Sequence, residues 1–264
     1  MKIGWRNGLG IALSIALLYW AFHAVDFGRV LYHLRNSNLY YFAGATIVGT
    51  LIFPVRARRW RPILASVAPG LPLGMLWRST AIGMMVNNVV PARAGELARA
   101  YALTRETSRV SFSAAIASLA VDRVFDAFVV LLLMVSALLD PAFPGQRLVA
   151  GRPVEEWMVS GAVLVAIAVF ALYLIVFFPE RVIRLFELFT RRVAPRLEER
   201  GVEALKAFAA GLGVLRHPAR FLEVLFWAIV HWLMNGVAFW LAFQAVGIVA
   251  PFSAALVVQG LIAI

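Results

Sequence analysis

The sequence contains no cysteine. Without a thiol the chain cannot form a disulfide, offer thiolate ligands to a metal or use a cysteine nucleophile. The histidines are also few and scattered, and none has the short helical spacing of a zinc site: His23, His33, His217 and His231. We therefore expect no metal and no other cofactor.

Two common enzyme motifs are missing as well. No G-x-x-x-x-G-K-[ST] loop is present, which excludes an ATP-driven pump of the phosphate-loop type within this chain. No G-x-S-x-G turn is present to expose a serine nucleophile. The residues therefore predict a protein that is not an enzyme.

Charged residues make up only 15% of the chain, whereas hydrophobic residues make up 62%. Soluble domains are closer to a quarter charged and half apolar. Several apolar runs are long enough to cross a bilayer. The composition predicts an all-α, polytopic integral membrane helical bundle, with candidate spans at residues 8–25, 39–55, 110–139, 157–178 and 220–246 and a partial one at 251–264.

Positive charge nevertheless exceeds negative charge, with a formal net charge of +11. Residues 56–61 hold four Arg and no acid, and residues 179–220 hold eight Arg and one Lys against five Glu. Cations in short segments beside apolar runs are typical of cytoplasmic loops that face anionic lipid. We expect no nucleic-acid partner, a location in the cytoplasmic (inner) membrane and a cytoplasmic N-terminus.

The apolar run at 72–90 needs a different explanation from the other runs. If it crossed the membrane fully, the Arg-rich segment 179–220 would lie on the outside. The charge bias therefore predicts a re-entrant helical hairpin over residues 72–109. Irregular backbone at membrane depth is tolerated where it is buried in protein or lines a wet cavity, so the hairpin is also the expected working part.

The stretch NNVVPARAGELARAYAL, residues 87–103, lies at the turn of this hairpin. Arg93, Glu96 and Arg99 are spaced by three, so a helix would place them on one face. Guanidinium groups and a helix N-terminus both favour phosphate. Two interpretations fit equally well: a site for the anionic headgroup of a lipid, or a structural Arg–Glu–Arg network.

Charges also interrupt the apolar run at 110–139. Asp122 and Asp126 share a helical stripe with Ser111 and Ser118, and Arg123 lies beside it. Each isolated charge at bilayer depth costs about 2.5–3.5 kcal/mol, so these side chains should pair or face water. A polar groove facing the hairpin and a buried network that only fixes packing are both consistent with the pattern.

Two further patterns have simpler explanations. Residues 179–219 predict an amphipathic helical segment on the cytoplasmic surface, broken at Pro195. Four residues spaced by four along the run 220–246 could line the polar groove that faces the hairpin. Hydrogen bonding between helices would explain their spacing equally well. This row consists of Glu223, Trp227, His231 and Asn235.

Taken together, the motif residues resemble the lysylphosphatidylglycerol synthase transmembrane family, also called the flippase-like domain family. The pattern Asn-x-x-x-Pro-x-Arg-x-Gly-Glu-x-x-Arg, followed by Asp-Arg-x-x-Asp, carries the resemblance, which extends from about residue 5 to the end. The family often has Glu where Asp122 stands, so a carboxylate is kept. The candidate substrate-binding residues are Asn87, Asn88, Pro91, Arg93, Gly95, Glu96, Arg99, Asp122, Arg123 and Asp126.

The resemblance implies a single flippase-like domain that binds an anionic lipid headgroup, of a phospholipid or a polyprenyl phosphate, and moves it between leaflets. Because the aminoacyl-transferase domain of the synthases is absent, the chain should not make lysyl-lipid by itself. One alternative is a membrane subunit that presents a lipid-linked substrate to a separate transferase; another is a structural scaffold. The last apolar run is too short to span a bilayer, as it would be in a fragment, and the oligomeric state stays open.

Overall fold

The structure is a computed structural model that describes residues 25–90, 94–137, 140–142, 148–149, 151–193, 201–202, 205–206 and 217–263. The predicted span at 8–25 falls almost entirely outside these residues, as do Pro91, Arg93 and most of the segment from 194 to 216. The described helices are α1 Phe27–Arg35, α2 Leu39–Leu64, α3 Leu73–Val89, α4 Gly95–Glu106, α5 Phe112–Ser136, α6 Val154–Phe177, α7 Pro179–Val193, α8 Pro218–Ala245 and α9 Phe252–Ala263.

The predicted all-α class is confirmed. Within the described residues the strands are limited to a ribbon of Leu148–Val149 paired with Arg152–Pro153, which turns at Gly151 with a φ of 78°. Side chains fix the starts of two long helices. The Asn38 carboxamide accepts from the N–H groups of Tyr40 and Tyr41 at the start of α2, and Ser111 accepts from Ala114 at the start of α5.

Helices α2 and α8 form an antiparallel pair at the centre of the bundle. At one end the Asn38 N–H donates to the carbonyl of Ala245 over 2.8 Å. Toward the other end Arg58 pairs with Glu223 at 2.8 Å. Helix α5 packs against both of them, and α9 packs against α5 and α8. The core between these helices is apolar and includes Trp60, Ile63, Leu64, Val121, Val129 and Val224.

Helix α2 continues beyond the apolar run that predicted it. The run ends near residue 55, but the helix passes through the Arg-rich segment 56–61 and ends at Leu64. Pro54 and Pro62 both lie inside it. Pro54 has no N–H, so the carbonyl of Thr50 lacks its helical donor. The continuation carries two arginines of the basic segment, Arg56 and Arg59, into the interior.

Helices α3 and α4 lie within the segment predicted to form a hairpin and pack against each other. Glu106 accepts hydrogen bonds from Arg78 at the open end. Near the turn, the Gly95 N–H donates to the Asn87 Oδ1 over 2.7 Å. The re-entrant position of this hairpin in the membrane stays a prediction.

The composition and the helices together indicate a membrane protein. Among the described helices, α2 and α8 are long and apolar enough to cross a bilayer. Helix α7 lies in the segment predicted to be amphipathic, and it exposes Leu185, Leu188 and Phe189 along one side. Such a stripe on an Arg-bearing helix suits the interface between water and lipid.

Candidate functional site

The centre of the polar cluster is Arg59 on α2, which has no exposed surface. Its Nη2 lies 2.7 Å from the Asp122 Oδ1, and its Nη1 donates to the Asp126 Oδ1 over 2.6 Å. One guanidinium therefore bridges two carboxylates that stand one turn apart on α5. A charge buried this deeply is tolerated because it is paired on two sides.

Two indole rings complete the surroundings of this centre. The Trp232 Nε1 on α8 donates to the Asp126 Oδ1 over 2.8 Å, and the Trp60 Nε1 donates to the Ser118 hydroxyl over 2.9 Å. The His231 Nδ1 lies 3.7 Å from the same Asp126 oxygen. Helices α2, α5 and α8 thus meet at Asp126.

Arg99 on α4 joins the hairpin to the cluster. Its Nη1 donates to the Asp122 Oδ2 over 3.3 Å. Its guanidinium carbon lies 4.0 Å from the centre of the Trp60 ring, which is a cation–π contact. Only 2% of Arg99 is exposed, yet its Nε and Nη2 have no hydrogen-bond partner among the described residues.

Glu96 pairs with residues of α2 and α5, and Arg99 is not its partner. The sequence pattern placed Glu96 between Arg93 and Arg99. In the structure the Glu96 carboxylate pairs with Arg123 on α5 and lies 3.8 Å from the Arg56 Nη2 on α2. Arg99 pairs with Asp122 instead, because α4 packs against α5 and turns Arg99 toward that helix. Arg123 also donates to the Asp126 Oδ2 over 3.3 Å.

Cations outnumber anions in this cluster. Within the part of the chain that the structure describes, its charged members are four arginines and three carboxylates, so one positive charge is left over when His231 is neutral: Arg56, Arg59, Arg99 and Arg123 with Glu96, Asp122 and Asp126. An excess charge within a membrane bundle is costly unless a counter-ion reaches it. The arrangement therefore favours an anion.

A small pocket lies where the excess charge is concentrated. It is lined by Arg56, Glu96 and Arg99 together with Asn87 and Gly83. Its empty volume is about 160 Å³, with essentially no room for a water-sized molecule. The Arg56 Nε has no hydrogen-bond partner among the described residues. An anion could therefore reach these donors only if the hairpin moved outward or Glu96 turned away.

The structure brings seven of the ten predicted site residues together: Asn87, Gly95, Glu96, Arg99, Asp122, Arg123 and Asp126. Asn88 is exposed and lines a neighbouring groove between α2 and α3. Pro91 and Arg93 lie outside the described residues. Whether these residues bind a ligand stays a prediction.

The residue patterns did not predict the contribution of α2 to the site. The segment 56–61 was interpreted as a cytoplasmic loop, although Arg56 and Arg59 follow the buried Ile52 at distances of four and seven. That helical spacing was the available signal. It was obscured because a run of four arginines in six residues is more typical of a solvated loop.

The row on α8 contacts the cluster and its surroundings. Glu223 pairs with Arg58, whose guanidinium carbon also lies 5.5 Å from the Trp227 ring centre. The Asn235 amide lies 3.2 Å from the His231 Nε2. The contacts of Arg58 join α2 to α8, whereas the contact between Asn235 and His231 lies within α8.

Parts of the chain are similar to curated proteins. A glycosyltransferase AglD of Haloferax volcanii is 32% identical over 116 residues, which are 44% of this chain and 18% of that protein. A UPF0104 membrane protein of Methanothermobacter thermautotrophicus is 34% identical over 119 residues, 44% of this chain and 33% of that protein. The matches thus span a third or less of the length of these curated relatives.

No solved structure matches the chain. The family model of the lysylphosphatidylglycerol synthase TM region, in contrast, matches residues 8–264 and therefore nearly the whole sequence. The family that the motif residues suggested is thus confirmed, and this chain belongs to the lysylphosphatidylglycerol synthase transmembrane region family.

Proposed function

We propose that this protein binds the phosphate of an anionic lipid headgroup at the buried arginine cluster and moves the headgroup between leaflets. One observation carries the proposal: among the described residues, three buried arginines and two buried carboxylates lie beside a helix break, with Glu96 and Arg123 at their partly exposed edge and one positive charge in excess. Intramembrane charges are expensive and usually mark substrate or ion pathways. The chain itself supplies no chemistry and acts as a binding and transfer device.

Arg56 and Arg99 are the phosphate ligands in this proposal. Both are more than nine-tenths buried, and both retain N–H groups that have no hydrogen-bond partner in the described part of the chain. Guanidinium groups stay charged and bind phosphate through two parallel hydrogen bonds. Arg93 stands one turn before Glu96 in the sequence and would add a further charge at the hairpin turn.

Glu96 occupies the position that this proposal assigns to the phosphate. Its carboxylate faces both Arg56 and Arg123, as a bound phosphate oxygen would. An arriving headgroup exchanges with Glu96 instead of entering an empty cavity, which is consistent with the closed pocket. The exchange keeps an anion beside Arg56 while Glu96 moves away, which limits the loss of pairing at membrane depth.

The polar path continues along α5. Since an α-helix rises about 1.5 Å per residue, Asp122 and Asp126 lie roughly 15 and 21 Å from the start of α5, near the middle of a membrane-length helix. Arg123 links both ends of this path through Glu96 and Asp126. A headgroup released from Arg56 would therefore meet further polar partners instead of hydrocarbon.

Lipid transfer in reconstituted vesicles tests the proposal. Fluorescent phosphatidylglycerol is placed in both leaflets, and the fraction accessible to an impermeant quencher is followed over time. We expect the purified protein to accelerate transfer and Arg56→Gln to abolish the acceleration. Arg58→Gln is the matched control, because Arg58 lies on the same helix but pairs with Glu223 outside the pocket. No acceleration by the unmodified protein, or equal rates for Arg56→Gln, would reject lipid transfer.

A second candidate function is favoured by the name of one relative. Because one relative is called a glycosyltransferase, this chain could instead present a lipid-linked substrate to a separate transferase. Under this alternative Arg56 holds the lipid phosphate without transfer between leaflets. Copurification of a soluble transferase, together with lipid binding that Arg56→Gln removes and no acceleration of transfer, would favour the alternative.

A further inference from the structure

A second cavity lies next to the arginine pocket, between the flanks of α2 and α3. It is a groove of about 730 Å³, which is within the range of small-molecule binding sites. Its walls are almost entirely apolar and include Leu51, Pro54, Trp77, Ala81 and Met85. Trp77 is 47% exposed and Met85 61% exposed, so the groove opens sideways instead of into the core.

The groove and the arginine pocket share a wall. Met84 lines both cavities, and its sulfur lies 3.1 Å from the Arg56 Nη1. Asn88 adds a polar group to the groove one residue after Asn87, which lines the pocket. A long apolar groove thus adjoins a small, positively charged pocket. This pairing is complementary to an amphiphile with a hydrocarbon chain and an anionic head.

We infer that the groove between α2 and α3 binds one acyl chain of an anionic glycerophospholipid whose phosphate is held by Arg56 and Arg99. The inference rests on the proposed function and adds to it the site of the chain. Trp77 supplies a rigid wall and the flexible methionines fit chains of different length. A phospholipid is the occupant that the surroundings favour, because a lipid-facing flank meets bilayer phospholipid at far higher concentration than any rarer lipid.

Photo-cross-linking of the unmodified protein tests the occupant. The protein is reconstituted in phosphatidylcholine vesicles that contain a small fraction of phosphatidylglycerol with a diazirine in one acyl chain. We expect cross-links concentrated on peptides from 51–54 and 73–88 relative to the exposed side of α8 at Leu222 and Phe226. The same diazirine chain on phosphatidylcholine should lose this enrichment, because its headgroup carries no net negative charge.

Variants separate the groove from the pocket. Ala81→Trp fills the groove and should remove the enrichment, whereas Ala127→Trp, on the exposed side of α5, should leave it unchanged. Arg56→Gln should reduce the enrichment of phosphatidylglycerol to that of phosphatidylcholine. If Ala81→Trp retained the enrichment, or if cross-links at the groove peptides did not exceed those on α8, the inference would be overturned.

Two other occupants would also overturn it. A diazirine amino acid at position 81 tests whether the chain's own residues 8–25 cover the groove. An intramolecular cross-link from position 81 to residues 8–25 would show that the groove is an internal interface. Stronger enrichment with a diazirine polyprenyl phosphate than with phosphatidylglycerol would assign the groove to an isoprenoid chain. Enrichment of cross-links at the groove peptides without accelerated lipid transfer would support the groove assignment and reject only the transfer function. Accelerated transfer without that enrichment would reject only the groove assignment.

Discussion

At the scale of single residues, Arg59 is the side chain on which the polar cluster depends. It bridges Asp122 and Asp126 and has no exposed surface. Replacing it with alanine would leave two buried carboxylates with one fewer cation, a loss that typically costs about 3–5 kcal/mol. We therefore expect Arg59→Ala to lower the thermal midpoint of unfolding strongly in detergent.

The control for this prediction is Arg61→Ala, two residues further along the same helix at an exposed position. Its midpoint should stay close to that of the unmodified protein. If the carboxylates are the reason for the loss, adding Asp122→Asn and Asp126→Asn to Arg59→Ala should recover part of it. Equal midpoints for Arg59→Ala and Arg61→Ala would contradict the structural role of the bridge.

Glu96 is the residue whose removal should improve ligand binding. Glu96→Gln keeps the shape of the side chain but no longer competes as an anion for Arg56 and Arg123. We expect affinity for a short-chain phosphatidylglycerol to rise about fivefold, the equivalent of ~1 kcal/mol for a partly exposed ion pair. Titration calorimetry in detergent measures the change.

The matched control is Glu106→Gln, which removes the pairing with Arg78 at the open end of the same hairpin. Its affinity should be unchanged, because Glu106 lies away from the pocket. A decrease in affinity for Glu96→Gln would show that Glu96 positions the arginines for the ligand instead of competing with it.

The residue patterns predicted some of these contacts and missed others for a clear physical reason. The apolar run around Asp122 predicted that its charges would pair or face water, but not with which residues. Arg56 and Arg59 were missed because burial of an arginine depends on carboxylates from a helix that is far away in sequence. The spacing within 56–61 alone does not show which face of α2 meets α5.

At the scale of secondary-structure elements, the hairpin is held together by two glycines in close contact. A Cβ on Gly83 would lie 2.7 Å from the carbonyl oxygen of Gly95 and 2.8 Å from the Arg99 Cβ. We expect Gly83→Ala to push α4 away from α3 and to destabilise the protein by about 1–3 kcal/mol, the usual cost of overpacking. Thermal unfolding and the lipid-transfer rate both report the change.

Gly49→Ala is the matched control within a helix, because no atom of the described residues lies within 4 Å of the added Cβ. Alanine has the higher helix propensity, so this variant should be as stable as the unmodified protein or slightly more stable. If Gly83→Ala behaved like Gly49→Ala, the close contact between α3 and α4 would not hold the hairpin.

The existence of the helices could be predicted better than their ends. Apolar runs predicted α5, α6 and α8 to within a few residues, because hydrophobicity over 20 or more residues is a strong signal. The end of α2 could not be predicted, since the helix continues through residues that are individually polar. Tertiary partners, here Asp122, Asp126 and Glu96, stabilise the continuation.

At the scale of the whole molecule, the contacts predict which ends of the helices share a side of the membrane. Arg109 donates to the carbonyl of Pro69, so both connections of the hairpin lie at one end of the bundle. Asn38 and Ala245 lie together at the end of the α2–α8 pair away from the contact between Arg58 and Glu223. The charge bias assigns the first end to the cytoplasm and the second to the outside.

Single-cysteine labelling checks this topology, and the absence of native cysteine makes every introduced thiol unique. In intact cells an impermeant maleimide should label Val249→Cys, whose position is 94% exposed. Ser66→Cys and Ser108→Cys should react only after permeabilisation. Labelling of Ser66→Cys and Ser108→Cys from opposite sides would mean that the chain between them crosses the membrane an odd number of times and is not re-entrant.

The fold class followed from the sequence because membrane solvation restricts a chain of this composition to helices. The arrangement of the helices did not follow, since apolar faces are nearly equivalent in lipid. The packing of α2 against α8 therefore depends on particular contacts such as Asn38 with Ala245 and Arg58 with Glu223. Patterns within one helix carry no signal for such pairs.

Pro54 gives α2 two mechanically different halves. On the C-terminal side of Pro54, the helix forms ion pairs with α4, α5 and α8 through Arg56, Arg58 and Arg59. On the N-terminal side of Pro54, Thr50 and Leu51 border the groove. The Thr50 carbonyl lacks a helical hydrogen-bond donor, because Pro54 has no N–H. The part of α2 before Pro54 can therefore bend with little loss of backbone hydrogen bonding. The part after Pro54 is held by its ion pairs and keeps the arginines in place. A bend at this hinge would widen or narrow the groove without disturbing the arginines.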